Sequence, residues 1–196
     1  MKILAAIALG LGLLPCMGRA AALDLAVLSC DKYENEVLPA AAANPTADSL
    51  NTVMWLFGYA VAKSGRHVMY PDALAPFGFE LDNECKSNPR ETVLQALAIV
   101  KPDSANPMDI AGVECGTFAS RHVEFARTDV DSANTIMMWL FGFSTAKSGS
   151  HVFDADSFQS FETTLLAECA KRPQVSLLDV LTGLKLPKSV KPAAHP

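Results

Sequence analysis

Basic charge is scarce in this 196-residue chain, where 16 lysines and arginines stand against 21 aspartates and glutamates, a formal −5. No uniform positive field is available to hold a phosphate backbone, so nucleic acid is not an expected partner. Histidine occurs only four times, and G-x-S-x-G, H-E-x-x-H, Walker and Gly-rich dinucleotide motifs are all missing. Each of those motifs carries a chemistry, and without them there is no catalytic residue, metal site or cofactor to assign. No C-x-x-C pair exists, which removes the usual redox spacing. Past the N-terminus the longest apolar run is Met54 to Ala62, nine residues, well short of the ~20 that span a bilayer. With 50% hydrophobic, 19% charged and 8% aromatic residues, the composition is globular and leaves room for one large or two small domains.

The N-terminus is different. Lys2 precedes an apolar run from Ile3 to Leu14, then Pro15, and Ala20, Ala21 and Ala22 offer an A-x-A cleavage site. Residues 1–22 read as a secretory signal peptide, too short in its apolar part for an anchoring helix. Its removal leaves 14 basic and 21 acidic residues, a formal −7, and four cysteines. Four cysteines in an exported chain invite two disulfides. The expected location is the periplasm, with no membrane association of the mature form.

An internal repeat dominates the rest. Trp55-Leu56-Phe57-Gly58-Tyr59-Ala60-Val61-Ala62-Lys63-Ser64-Gly65-Arg66-His67-Val68 returns as Trp139-Leu140-Phe141-Gly142-Phe143-Ser144-Thr145-Ala146-Lys147-Ser148-Gly149-Ser150-His151-Val152, ten identities in fourteen at an offset of 84. The same offset aligns Phe77 with Phe161, Leu81 with Leu165, Cys85 with Cys169 and Pro89 with Pro173, whereas Cys30 and Cys115 differ by 85. Each copy holds one cysteine near its start and one near its end, which pairs Cys30 with Cys85 and Cys115 with Cys169. Either bridge would close about 55 residues, worth roughly 4 kcal/mol by chain entropy. The boundary lies at Lys101 to Pro107, KPDSANP, and the tail of lysines and prolines reads as disordered.

Within each copy, residues 48–64 and about 131–148 read as helices stopped by Gly65 and Gly149 at C′, with Thr46 or Asp48 as candidate N-cap. From Met54 to Ala62 the first of these has no polar face, so it is buried by its own domain or by a partner. Phe158, Phe161, Leu165 and Cys169 form one stripe, as do Leu74, Phe77, Leu81 and Cys85. Asp156 with Gln159 is a candidate capping box, and Pro76 and Gly78 are expected to delay or loosen the first turn of the first-copy helix. Asn88-Pro89-Arg90-Glu91 reads as the opening of a helix through Val100, and Pro173 as the opening of its counterpart through Leu184. The β-prone pieces Arg66–Tyr70 and Ser150–Phe153 look too short and unpaired to found a sheet. The expectation is an all-α fold of two tandem small helical bundles, each closed by one disulfide, over residues 23–101 and 108–185, followed by a disordered tail at 186–196.

Two residue types remain. Gly58 and Gly142 stand mid-helix, where glycine costs roughly 1 kcal/mol relative to alanine, and close approach of another helix or chain would offset this. His67 and His151 recur, and read as partly exposed histidines favoured by a helix C-terminus; His122 has Val37 as its counterpart, and His195 lies in the tail.

The order Cys30, Trp55-Leu56-Phe57-Gly58-Tyr59, then Leu81-x-x-x-Cys85-x-x-x-Pro89 and an apolar helix resembles the HdeA/HdeB acid-stress chaperone family. Cys115, Trp139-Leu140-Phe141-Gly142-Phe143, Cys169, Pro173 and Leu177-Leu178-Asp179-Val180-Leu181 resemble it more closely. The resemblance implies a periplasmic holdase without cofactors, whose partners are unfolded periplasmic client proteins. It also implies that acid dissociates a dimer and exposes apolar surface. By position, Trp55, Leu56, Phe57, Gly58, Tyr59 and Val61, with Trp139, Leu140, Phe141, Gly142 and Phe143, become the client or interface residues. The tandem arrangement allows domain–domain pairing in place of self-association. A constitutive inhibitor or immunity-type module with a preformed protein-binding surface is the competing expectation.

Overall fold

The computed structural model describes residues 22–39, 48–69, 72–101, 107–153 and 155–186. The expected signal peptide up to residue 21, the middle of the 101–107 boundary, Thr46, Tyr70, the tail from residue 187 and the side chains of Asp48 and Asp156 lie outside that description. The fold is all-α with two disulfide-closed halves. The first half comprises β1 (Leu23–Asp24), α1 (Cys30–Lys32, running on as a π-helical turn over Tyr33–Val37), α2 (Asp48–Lys63), β2 (Val68–Met69), α3 (Leu74–Ser87) and α4 (Val93–Ile99). The second comprises β3 (Met108–Asp109), a 3-10 turn (Ile110–Gly112), α5 (Cys115–Thr128), α6 (Val130–Lys147), β4 (Val152–Phe153), α7 (Ala155–Lys171) and α8 (Leu177–Gly183).

Local chemistry accounts for most boundaries. Gly65 and Gly149 take φ of 78° and 77°, the left-handed conformation that ends α2 and α6 at little steric cost. Pro76 does not delay α3, which starts at Leu74, because a first-turn proline lacks only an N–H that has no intrahelical partner there. The last helix of each half starts later than the prolines suggest. Thr92 caps α4 through a capping box with Gln95, and Ser176 caps α8 by accepting from the Asp179 amide. Asn88 instead closes α3, its amide donating to the Glu84 carboxylate at 2.6 Å. Residues 89–91 are free to serve a tertiary purpose: the carbonyls of Pro89 and Glu91 accept from the amides of Asp31 and Cys30, and those of Pro173 and Val175 from Gly116 and Cys115.

The disulfides join Cys30 to Cys85 and Cys115 to Cys169, with all four cysteines fully buried. Each ties the first helix of its half to the stripe on α3 or α7, where Phe77, Leu81, Phe161 and Leu165 are also buried. The β-prone pieces are paired after all, and across the repeat: β1 runs antiparallel to β4, and β2 to β3. Each piece lacks a partner inside its own copy and finds one in the other, so hydrophobic periodicity within a copy gave no sign of it.

Candidate functional site

α2 and α6, the two helices without a polar face, pack on each other. From Met54 to Ala62 and from Met137 to Ala146 every residue is buried. All eleven residues singled out as a client or interface surface, between Trp55 and Val61 without Ala60 and from Trp139 to Phe143, lie in this one core and none is open to solvent. The glycines make the approach possible. A methyl added to Gly58 would stand 2.9 Å from the carbonyl carbon of Trp139 and 3.1 Å from the Phe143 amide. One added to Gly142 would stand 2.8 Å from the carbonyl carbon of Trp55 and 3.0 Å from its Cα. Both clashes are with backbone, which cannot rotate away, so only glycine permits this spacing at either position. The contact is reciprocal, each glycine facing the tryptophan backbone of the other half.

Aromatic packing follows the same pseudo-symmetry. Trp55 meets Tyr59 at 5.8 Å between ring centroids and Trp139 meets Phe143 at 5.5 Å; Phe57 meets Phe77 at 4.8 Å and Phe141 meets Phe161 at 5.2 Å. The symmetry breaks at a buried polar atom. Trp55 Nε1 donates to Thr145 Oγ1 at 3.5 Å, whereas Trp139 Nε1 is buried with no partner. The residue related to Thr145 is Val61, which offers no acceptor.

At the strand pairs the repeated histidines reach across the halves. His67 Nε2 lies 3.4 Å from Asp109 Oδ1, and His151 Nε2 lies 3.4 Å from Asp24 Oδ1. Beside them the Ile110 amide donates to the His67 carbonyl and the Leu25 amide to the His151 carbonyl. These histidines are partly exposed, as expected, but their neighbours are carboxylates of the other half rather than a helix end alone. The signal in the sequence for these aspartates is that Asp24 and Asp109 share the offset of Cys30 and Cys115. His122, which has no histidine counterpart in the first copy, is buried on α5 and pairs with Glu162 of α7 at 3.2 Å.

One acidic cluster is specific to the first half. Burial, then a hydrogen bond and charge from Asp82, push the Glu34 carboxyl up to about 7, with Lys86 pulling the other way. Asp82 is held below the carboxylate range chiefly by its hydrogen bond to Lys86. Burial, followed by the charges of Glu34 and Asp82, raises the Tyr33 phenol. Among the described residues no group of three or more histidine, cysteine and acidic side chains is placed to hold a metal, and no helix is long and apolar enough to cross a membrane.

The family model HdeA/HdeB family matches residues 93–179. The match takes in α4, Cys115, the α6 tryptophan motif and Cys169, and stops inside α8. Similarity of residues 23–92 to the family rests on the internal repeat. Comparison with curated proteins gives no match, and neither does comparison with solved structures.

Proposed function

We propose that the chain is an exported, periplasmic acid-stress holdase built as a tandem of two HdeA-like halves, in which the α2–α6 contact takes the place of a dimer interface. The observation that carries this reading is that the most apolar helices of both halves conceal each other around Gly58 and Gly142. Such a surface binds nothing while the halves are closed. It becomes available to unfolded clients once they part. The family match over residues 93–179 supports the class of activity.

Acid supplies the opening force. The mature charge of −7 rises to +18 when all carboxylates are neutral and the four histidines join the 14 basic residues, and self-repulsion of that size opposes the compact state. Three histidine–carboxylate pairs lie where that force acts: His67 with Asp109 and His151 with Asp24 across the halves, and His122 with Glu162 inside the second. The disulfides survive acid and keep each opened half closed on itself, while the chain between Val100 and Met108 joins the two.

Light scattering of an aggregating client at pH 2–3 and pH 7, with the protein added, tests the proposal. Protection confined to acid is the expected result. No protection at any pH, together with one tight partner in a periplasmic pull-down, would favour a constitutive inhibitor module.

A further inference from the structure

A cleft of about 390 Å³ opens beside α5 in the second half, a volume within the range of small-molecule sites. Its wall is apolar and drawn from both halves: Met69 of the first faces Met108, Ile110, Phe118 and Leu140 of the second. Polar groups stand on one side only, along α5. His122 is committed to Glu162, but Arg121 is exposed and has no ion-pair partner among the described residues. Glu114 also borders the cleft. It stands at the N-cap, one residue before α5 begins, and makes no ion pair with Arg121 among the described residues. A shallower polar recess shares Glu114, Thr117 and Arg121 with the cleft and adds Ser120.

We infer that this cleft binds a single-chain amphiphile with an anionic head group, of the fatty-acid class. The hydrocarbon chain lies between Met69 and Leu140 and the carboxylate meets the Arg121 guanidinium, which as a charge-assisted contact fixes its orientation. One concave cleft with one unpaired cation suits one chain. A lipid surface would need a cluster of basic residues, and this chain is acidic overall. The head-group end of the site is peculiar to the second half, since the positions related to Arg121 and His122 are Glu36 and Val37. Phe153 occupies the position related to Met69, with its ring 5.3 Å from Trp55 and 6.0 Å from Phe141.

The inference is independent of chaperone activity and is read at pH 7 on the full chain. Dodecanoate, dodecanol and dodecylammonium are titrated against a bound polyene fatty acid whose fluorescence reports burial, with methyl NMR of Met69 and Met108 as a second readout. Saturable displacement by dodecanoate, weaker for dodecanol and weakest for dodecylammonium, is expected. Arg121→Glu is expected to weaken dodecanoate about tenfold or more, the effect of one charge-assisted contact, with dodecanol unchanged. Met69→Phe, a residue the fold accepts at the related position, is expected to abolish binding of all three while the thermal midpoint holds. Absence of saturable binding, equal affinity for the cationic and anionic chains, or shifts confined to methyls away from the cleft would overturn the inference. So would binding only to intact anionic vesicles, or displacement of the probe by an unfolded polypeptide and by none of the three amphiphiles.

Discussion

At Trp139 the cost of near-symmetry is visible in a single atom. The repeat places an indole N–H on both sides of the helix contact, but a hydroxyl on only one. A buried donor left unpaired costs roughly 1–3 kcal/mol. Val61→Thr is therefore expected to stabilise the chain by up to about 1 kcal/mol, since the new hydroxyl can bond the carbonyl four residues earlier, as Thr145 bonds Phe141 at 2.7 Å. Thr145→Val should destabilise it by a similar amount. Urea midpoints of both variants measure this, and a destabilising Val61→Thr would show that the Trp139 indole does not face residue 61. Glu34 gives a residue-scale pH effect. Its folded carboxyl titrates near 7 rather than 4.5, so the folded state binds the extra proton and stability falls as pH rises through that window. Glu34→Gln should raise the melting temperature at pH 8 by about 2–4 °C, taking the gain as ~1 kcal/mol after discounting for screening. At pH 5 it should do almost nothing. The raised Glu34 carboxyl therefore favours the folded state on the acid side of that window.

Among the elements, α2 and α6 decide the architecture. Their helical character and their Gly65 and Gly149 stops were legible from residue spacing, and so was the need for something to cover them. What covers them was not, because no pattern along one helix specifies the partner of a face that is apolar all round. The starts of α4 and α8 were misplaced for a related reason: Asn-Pro-x-Glu satisfies helix-start chemistry, but the carbonyls of residues 89 and 91 are taken by the first helix of the half. Gly58→Ala and Gly142→Ala should each cost about 1–3 kcal/mol in urea denaturation at pH 7, as overpacking does. The double variant should cost less than the sum, because the first methyl already pushes the helices apart. Full additivity would mean that the glycines serve separate contacts. In the client assay either change should move the onset of protection to higher pH.

The molecule as a whole has one continuous core formed by both halves, with strand pairs and histidine–aspartate pairs on its outer edges. Residues 23–101 and 107–186 expressed apart would each expose an apolar helix and lose a strand partner. Mixed, they are expected to recover the near-ultraviolet dichroism of the intact chain, and the mixture to co-elute as one species. Two monomers that melt cooperatively and ignore each other would sink the shared-core account and the acid mechanism with it.

By itself the sequence determined the helical class, the disulfide pairing and the burial of the tryptophan helices, because cysteine position within a repeat and apolar periodicity are local properties. The tertiary structure alone decided that each half completes the other. Helix-on-helix contact at glycine, the β1–β4 and β2–β3 pairs and the facing of His67 by Asp109 and His151 by Asp24 all join residues about forty or more positions apart. Nothing in either segment marks such a partner, since the free energy of the contact resides in the packed pair and not in either strand or helix alone.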